Sequence, residues 1–334
     1  MQAYEICSAE GIDALVLNQR ESKQPRAGEV LVEVRASSIN YRDLMTIEDP
    51  VPRAIRYPTI PNSDAAGDVI AVGDGVTGIS VGDRVASCFF QRWPDGDITP
   101  DGMNSALGGA IDGVLSEQVL LKEQGVIRYP EHLSYIEAAT LPCAALTAWH
   151  ALVEFAGLRS GETVLLLGTG GVSIFALQFA CNIGARAIVV SSSNQKIDRA
   201  LELGAVAAVN YQETPQWQDA VLDLTDGAGV DVVVEVGGAG TLERSVAATR
   251  VAGRIALVGV LATGTMNPTA IMRKSIRMQG IYVGSWAMFE RMNKAFSQHR
   301  LQPVIDQTFP FAEAPAAYRT MQRAGHFGKL VVSF

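Results

Sequence analysis

The residues best placed to do chemistry begin at a glycine turn. Thr163-Val-Leu-Leu-Leu-Gly168-Thr169-Gly170-Gly171-Val172-Ser173 leads directly into Ile174-Phe-Ala-Leu-Gln-Phe-Ala, an apolar strand turning on glycines into an apolar helix. In that order the pattern builds a pyrophosphate site. Gly168 permits the tight turn, Gly170 lets phosphate approach the backbone, and the helix N-terminus presents free N–H groups to the charge. Thr169, Gly171 and Val172 complete the cradle. Ser173 stands where Gly or Ala is usual, so slightly looser packing of helix on strand is expected. A glycine pattern alone is weak; the strand before it, the helix after it and the alternating domain around it make it a dinucleotide site.

The end of the next strand decides which dinucleotide. NAD sites usually carry Asp or Glu there, about 20 residues on, for the ribose hydroxyls. This chain has Val189-Val190-Ser191-Ser192-Ser193-Asn194-Gln195-Lys196. Ser191, Ser192, Ser193 and Lys196 can donate to an adenosine 2′-phosphate that a carboxylate would repel. NADP(H) is therefore the expected cofactor. Asp198 lies further along, inside the following helix. The same stretch also reads as a Ser-rich surface turn with a solvated lysine.

Other reactive side chains are scattered. The 4 cysteines, Cys7, Cys88, Cys143 and Cys181, lack Cys-x-x-Cys spacing and read as reduced thiols. Cys143 has no base or cation beside it in sequence to activate it. The 4 histidines, His132, His150, His299 and His326, show no ligand spacing and read as surface or capping residues. With 27 Lys and Arg against 35 Asp and Glu the net charge is −8, which argues against nucleic acid as the main partner. A chain 48% apolar and 19% charged is neither disordered nor coiled coil, and 334 residues suggest two domains. The start, Met1-Gln-Ala-Tyr-Glu5, lacks the basic and apolar regions of a signal peptide, and no apolar run approaches the ~20 residues of a membrane helix. A soluble, cytoplasmic protein is expected.

The elements that must position the glycine turn follow from periodicity. Val30–Ala36 alternates and Asp68–Val72 runs into Gly73-Asp-Gly75, so the first third reads as strands. Residues 89–115 read as a long connection. Ser134-x-x-Glu137 is a capping box opening an Ala-rich helical stretch, with Pro142 in its first turn, towards Gly157. Strands are then expected at Val164–Leu167, Ala187–Val190, Ala207–Asn210, Asp231–Glu235, Arg254–Val258 and Met278–Val283. Helices are expected over 171–183, 196–203, 217–224 and 240–248. This alternation predicts an α/β, Rossmann-type doubly wound parallel sheet. A helix over 287–299 and a final strand Lys329–Phe334 follow.

Ser38-Ile-Asn-Tyr-Arg-Asp43, Pro61-Asn-Ser-Asp-Ala-Ala-Gly67, Val81-Gly-Asp-Arg-Val85 and Ala139-Thr-Leu-Pro-Cys-Ala144 occur in order. After them come the Gly168 turn, Leu203-Gly-Ala205, Val209-Asn-Tyr211 and Gly328-Lys329. Together they resemble the medium-chain dehydrogenase/reductase superfamily over essentially the whole chain, in its zinc-independent quinone oxidoreductase and alcohol-dehydrogenase-like branch. The resemblance implies a GroES-like barrel-type catalytic domain, residues 1–127 plus 285–334, with the dinucleotide domain, 128–284, inserted. It places Tyr211 near the 2′-phosphate. Val236, Gly237, Val258, Gly259, Val260, Val283 and Lys329 complete the expected cofactor set.

Zinc-dependent relatives place ligands where this chain has Asn40, Ser63 and Cys143. Asn and Ser are poor zinc ligands, and the segment of the second, structural zinc holds Cys88 alone, so no zinc is expected. Without a metal, reduction of an electron-poor acceptor (a quinone, an enone or a 2-alkenal) is easier than oxidation of an unactivated alcohol. The resemblance then makes Asn40 and Tyr41 donors to substrate oxygen, puts Arg42 where relatives have a hydroxyl relay, and sets Thr147 beside the nicotinamide. Asn40 and Tyr41 also read as a simple cap at a strand end. The resemblance also implies that Asp64 and Lys329 pair across the cleft floor, where Lys329 could reach the cofactor phosphate as well; Gly328-Lys329 also reads as a strand start with its ammonium in water. Relatives further imply a homodimer joined through the edge strand Met278–Val283. A zinc-type alcohol dehydrogenase and a non-catalytic NADPH-binding protein remain the alternatives.

Overall fold

A computed structural model describes residues 1–259 and 264–334; the expected cofactor contact Val260 lies outside them. The described chain divides into two compact units, residues 1–146 with 283–334, and residues 147–282. The expected boundary near 128 thus differs from the observed one. Residues 128–146 stay with the first unit because Asp68 holds the Tyr135 hydroxyl at 2.5 Å and Asp64 holds the Cys143 N–H at 3.1 Å.

The first unit opens with a hairpin, β1 Gln2–Ile6 against β2 Leu15–Gln19. Then come β3 Glu29–Ile39, β4 Asp64–Val72, β5 Arg84–Ser87, β6 Gln118–Lys122 and β7 Val126–Arg128. In the second unit, β8 Thr163–Leu167, β9 Arg186–Ser191, β10 Ala207–Asn210, β11 Val230–Glu235, β12 Thr249–Leu257 and β13 Arg277–Gly280 are all parallel. The chain returns to the first unit with β14 Ile305–Pro310 and β15 Lys329–Ser333. The order there is β14-β15-β3-β4-β5-β7, with β6 also on β3, so the C-terminus completes the N-terminal sheet.

In the second unit the order is β10-β9-β8-β11-β12-β13, the doubly wound arrangement that reverses direction beside β8. Strands covered on both faces need no alternation, and every residue of β8 is buried. Leu165, Ile188, Val233 and Ile255 form the centre of that core, with Trp217 and Val221 packed against them. In the first unit one core lies around Ile39, Ile47, Tyr318 and Leu330 and another around Val32, Val69, Val85 and Leu107. No helix among the described residues is long and apolar enough to cross a membrane.

Four details depart from the sequence reading. The Ala-rich stretch is not one helix: the capping box starts a short turn, Tyr135–Ala138, and Leu141–Ala145 widens into a π-turn. Pro142 has no N–H and that of Cys143 goes to Asp64, so the helical ladder lacks two donors there. Strand β13 stops at Gly280, opposite Leu257 where its partner β12 ends, and Val283 beyond it turns to a positive φ of 55°. The connection 89–115 is tied down by Phe89, Phe90 and Trp93, all buried and meeting edge to face, and carries a helical turn, Pro100–Met103. His150 is buried rather than at the surface, whereas His132 Nε2 lies 2.9 Å from Leu301 O.

Candidate functional site

Strand register assembles a polar corner in the first unit. In the antiparallel ladders Ile39 faces Leu330 and Ser38 faces Asp64, so the end of β3 meets the starts of β4 and β15. Asn40, just past β3, caps the helix Tyr41–Glu48, and its N–H donates to Asp43 Oδ2 at 2.9 Å. Gly328 turns the chain into β15 at a φ of +81°, where a Cβ would strike Val304 O. Lys329 is thereby carried inward and is only 3% exposed. Its ammonium donates to Ile39 O at 2.8 Å and to Asn40 Oδ1 at 2.5 Å.

Asp64 and Lys329 form no ion pair within 4.0 Å; the expected direct contact is replaced by one through Asn40, whose amide lies beside Asp64 as well. Asp64 Oδ1 accepts from Ser63 Oγ at 2.6 Å and Oδ2 from Cys143 N–H at 3.1 Å. Complete burial pushes the Asp64 carboxyl up to about 6, an effect that the Lys329 charge partly offsets. Burial likewise lowers the Lys329 ammonium, which Asp64 opposes. The Cys143 thiol is pushed up by burial and by the Asp64 charge, which suits an inert thiol.

The other first-unit candidates differ in setting. Arg42 Nη1 donates to Leu107 O at 2.8 Å, Gly108 O at 3.1 Å and Asp43 Oδ1 at 3.0 Å, and its guanidinium lies 4.9 Å from the Phe89 ring centre. These contacts make Arg42 a strut between its helix and the 107–108 loop. Tyr41 is 45% exposed.

The donor set does not fit a zinc ion. The Asn40 oxygen is taken by an ammonium, the Ser63 hydroxyl is donated to Asp64, and the Cys143 thiol is hard to ionise. A buried lysine charge beside them would repel a divalent cation. No group of three His, Cys, Asp or Glu able to hold a metal occurs among the described residues.

In the second unit the parallel sheet gathers the expected cofactor residues at the C-terminal edge of its strands. Gly168 leaves β8 at a φ of +72°, and its N–H donates to Val190 O at 2.6 Å. Nothing lies within 4 Å of a Cβ built on Gly168 or Gly170, so the turn is an open cradle. The first bond into the helix Gly171–Ile183 runs from Ile174 N–H to Gly170 O at 3.0 Å, leaving the N–H groups of Gly171, Val172 and Ser173 at its positive end. Ser173 does not loosen the packing: it is buried, and its hydroxyl donates to Leu167 O at 2.6 Å. This cradle fits the pyrophosphate of a nicotinamide dinucleotide.

Ser191 ends β9, Ser193 caps the helix Asn194–Glu202 that carries half-buried Lys196, and Tyr211 N–H donates to Ser191 O at 3.0 Å. Ser192 is exposed and Tyr211 is 40% exposed. Glu213 approaches this edge, but its Oε1 accepts from Asn194 Nδ2 at 2.7 Å and Asn210 Nδ2 at 3.1 Å. Thr147 is buried at the start of the unit. Val283 and Lys329 belong to the first unit.

Sequence reasoning missed Glu235. It is fully buried at the end of β11, where Oε1 accepts from Gly237 N–H at 2.7 Å, Gly238 N–H at 3.0 Å and Thr241 Oγ1 at 2.6 Å, and Oε2 from Ser245 Oγ. Its carbonyl also accepts from Val258 and Gly259, at 2.9 and 2.8 Å. One residue therefore shapes the turn at Val236–Gly237 and the end of β12 together. A lone acid followed by Val-Gly-Gly at the end of an apolar strand was the available signal.

A doubly wound sheet with an open glycine cradle, inserted in a GroES-like barrel domain, defines a nicotinamide-dependent oxidoreductase fold. Comparison with known proteins agrees. The alcohol dehydrogenase GroES-like domain matches residues 26–131 and the zinc-binding dehydrogenase domain residues 171–298. A zinc-type alcohol dehydrogenase-like protein of Schizosaccharomyces pombe is 40% identical over 331 residues, covering 96% of each chain. The acryloyl-coenzyme A reductase of Metallosphaera sedula is 28% identical over 94% of each.

Among solved structures, a Sinorhizobium meliloti chain described as an alcohol dehydrogenase superposes with a TM-score of 0.92 at 39% identity, covering 99% of this chain and 98% of that one. A NAD-dependent alcohol dehydrogenase gives 0.91 at 30%, covering all of both chains. A mycobacterial protein complexed with NADPH gives 0.84 at 25%, again over all of both. The chain belongs to the medium-chain dehydrogenase/reductase superfamily, among its zinc-type alcohol dehydrogenase and quinone oxidoreductase-like members.

Proposed function

We propose that this chain is an NADP(H)-dependent reductase of quinones, enones or 2-alkenals that works without zinc. The observation that carries the reading is the donor set at the positions where zinc relatives have ligands: the Asn40 oxygen accepts from the Lys329 ammonium and the Ser63 hydroxyl is donated to Asp64. The nicotinamide, when bound, supplies hydride. When hydride reaches the electron-poor carbon of an enone, the alkene π bond breaks, an electron pair moves onto the carbonyl oxygen, and a proton from solvent then adds to the neighbouring carbon to complete the reduction. The Tyr41 hydroxyl donates a hydrogen bond to that oxygen, the role of an oxyanion-hole donor. The Asn40 amide nitrogen is turned to Asp64 and has no exposed surface with which to share that role. Thr147 positions the ring. Acryloyl-coenzyme A, named for one relative, is an activated alkene of this kind.

NADP(H) is favoured by Ser191, Ser192 and Lys196 and by the absence of an acid at the end of β9. A zinc alcohol dehydrogenase, the reading that relatives' names favour, requires Asn40 and Ser63 to serve as ligands. A non-catalytic NADPH-binding protein would show cofactor affinity with no turnover of any acceptor.

Oxidation of NADPH and NADH by the purified chain, with a quinone, an enone, a 2-alkenal and a simple ketone, tests the reading. NADPH should be preferred by about tenfold or more, the worth of one charge-assisted contact. Lys196→Ala should narrow that preference. Equal use of the two cofactors contradicts the cofactor choice, and no turnover of any acceptor contradicts the reductase.

A further inference from the structure

We infer that Glu213 is a specificity-determining residue at the adenosine end of the cofactor site. Its carboxylate opposes the 2′-phosphate, so the preference for NADP(H) is held below what Ser191, Ser192 and Lys196 would give alone. This rests on the cofactor reading above and adds a residue that works against it. Every residue involved belongs to the second unit.

The carboxylate is clamped. Its Oε1 accepts from Asn194 Nδ2 at 2.7 Å and from Asn210 Nδ2 at 3.1 Å, and Asn210 Nδ2 also donates to Asn194 Oδ1 at 2.6 Å. A carboxylate has acceptors only, so both amides turn their NH2 groups towards it. That leaves the Asn210 oxygen to accept from Gln212 N–H at 3.0 Å. Backbone bonds from Glu213 and Thr214 N–H to Asn210 O, at 3.2 and 2.8 Å, close the turn after β10. Tyr211 N–H, 3.0 Å from Ser191 O, ties the same turn to the end of β9. Glu213 is therefore fixed against Asn194, the residue that directly follows the three serines.

Its charge is not neutralised. Among the described residues Glu213 has no ion pair within 4.0 Å, and the side chains that donate to it are neutral amides. Asn194 opens the helix Asn194–Glu202, whose first bond runs from Ile197 N–H to Ser193 O at 3.0 Å. The N–H groups of residues 194–196 form the positive end of that helix, and a carboxylate fixed there takes up part of the field that a phosphate would use. A phosphate monoester carries between about 1.5 and 2 negative charges at neutral pH, and like charges within a screening length repel. NADH has a hydroxyl at the same place and offers no charge to repel. The acid missing from the end of β9 is thus brought to that edge from the turn after β10.

Glu213→Gln keeps an acceptor for both asparagines and removes the charge. Calorimetric titration of the full-length native and variant chains with NADPH and with NADH, in about 0.01 M and about 1 M salt, tests the inference. At low salt the variant should bind NADPH about three- to tenfold more tightly than the native chain, with NADH affinity changed less than about twofold. At about 1 M salt, where the screening length is about 3 Å, the NADPH gain should fall below about twofold. A merely structural role predicts the opposite sign, a weaker grip on NADPH. Unchanged or weaker NADPH binding in the variant at low salt overturns the inference. So does a gain that persists in high salt, which marks a new hydrogen bond from the glutamine. A loss confined to NADH also overturns it, since Glu213 would then be an acceptor for a ribose hydroxyl. A native chain that binds neither cofactor would instead overturn the cofactor reading, and this inference with it.

Discussion

Asp64 makes the first unit's stability depend on pH. Its carboxyl ordinarily titrates at 3.8, and in the folded chain burial raises this to about 6. A group raised on folding favours the fold while protonated. That contribution is complete below about pH 4 and is lost as pH rises through 6. At 1.36 kcal/mol per unit it amounts to about 3 kcal/mol. Asp64→Asn cannot ionise, so the variant should lack this decline. Denaturant unfolding of both proteins at pH 4 and pH 7 measures it, and identical pH dependence in the two would contradict the burial argument. At this scale the sequence was a partial guide. Family position brought Asp64, Lys329 and Asn40 to one corner, but only side-chain geometry shows Asn40 standing between the charged pair. Glu235 went unread because a carboxylate inside an apolar strand carries no periodic signature; its meaning lies in donors from residues 237 to 245.

The β8 turn separates a structural glycine from a binding one. Gly168 sits at a φ of +72°, a left-handed conformation that costs an L residue about 1–2 kcal/mol, so Gly168→Ala should destabilise the fold by that amount. Gly170 is extended, at a φ of −78°, with open space about it. Gly170→Ala should therefore leave the melting temperature nearly unchanged while weakening NADPH binding about tenfold or more, since its methyl fills the phosphate cradle. Thermal melts with calorimetric NADPH titration distinguish the two; native affinity in Gly170→Ala would contradict the placement of the pyrophosphate. Elements with strong periodicity were legible, such as the helix over 171–183. The stretch 134–157 was not, because its widened turns depend on a hydrogen bond from Cys143 to a residue 79 positions away. Strand β13 ends early for a comparable reason, the end of its partner β12 at Leu257, which composition does not reveal.

For the whole molecule, β13 is one of the two edge strands, with β10, of the six-stranded sheet among the described residues, and Met272 and Tyr282 are exposed near it. An open edge of this kind is a liability unless covered. We propose that two copies join edge to edge, giving one continuous sheet. Sedimentation at micromolar concentration should report a dimer, and Gly280→Pro should shift it towards monomer; a native monomer would contradict the proposal. The order of the motifs along the chain made the inserted-domain plan legible, while the boundary itself was set by tertiary contacts of Tyr135 and Cys143.

The account turns on reduction without a metal, and one measurement bears on it directly. The purified chain, dialysed against a strong chelator and shown by elemental analysis to be free of zinc, is assayed for NADPH oxidation with an enone or quinone. The predicted result is turnover equal to that of the undialysed protein and unchanged on adding zinc. Turnover that vanishes on chelation and returns with zinc, or that appears only with simple alcohols and ketones, would contradict it.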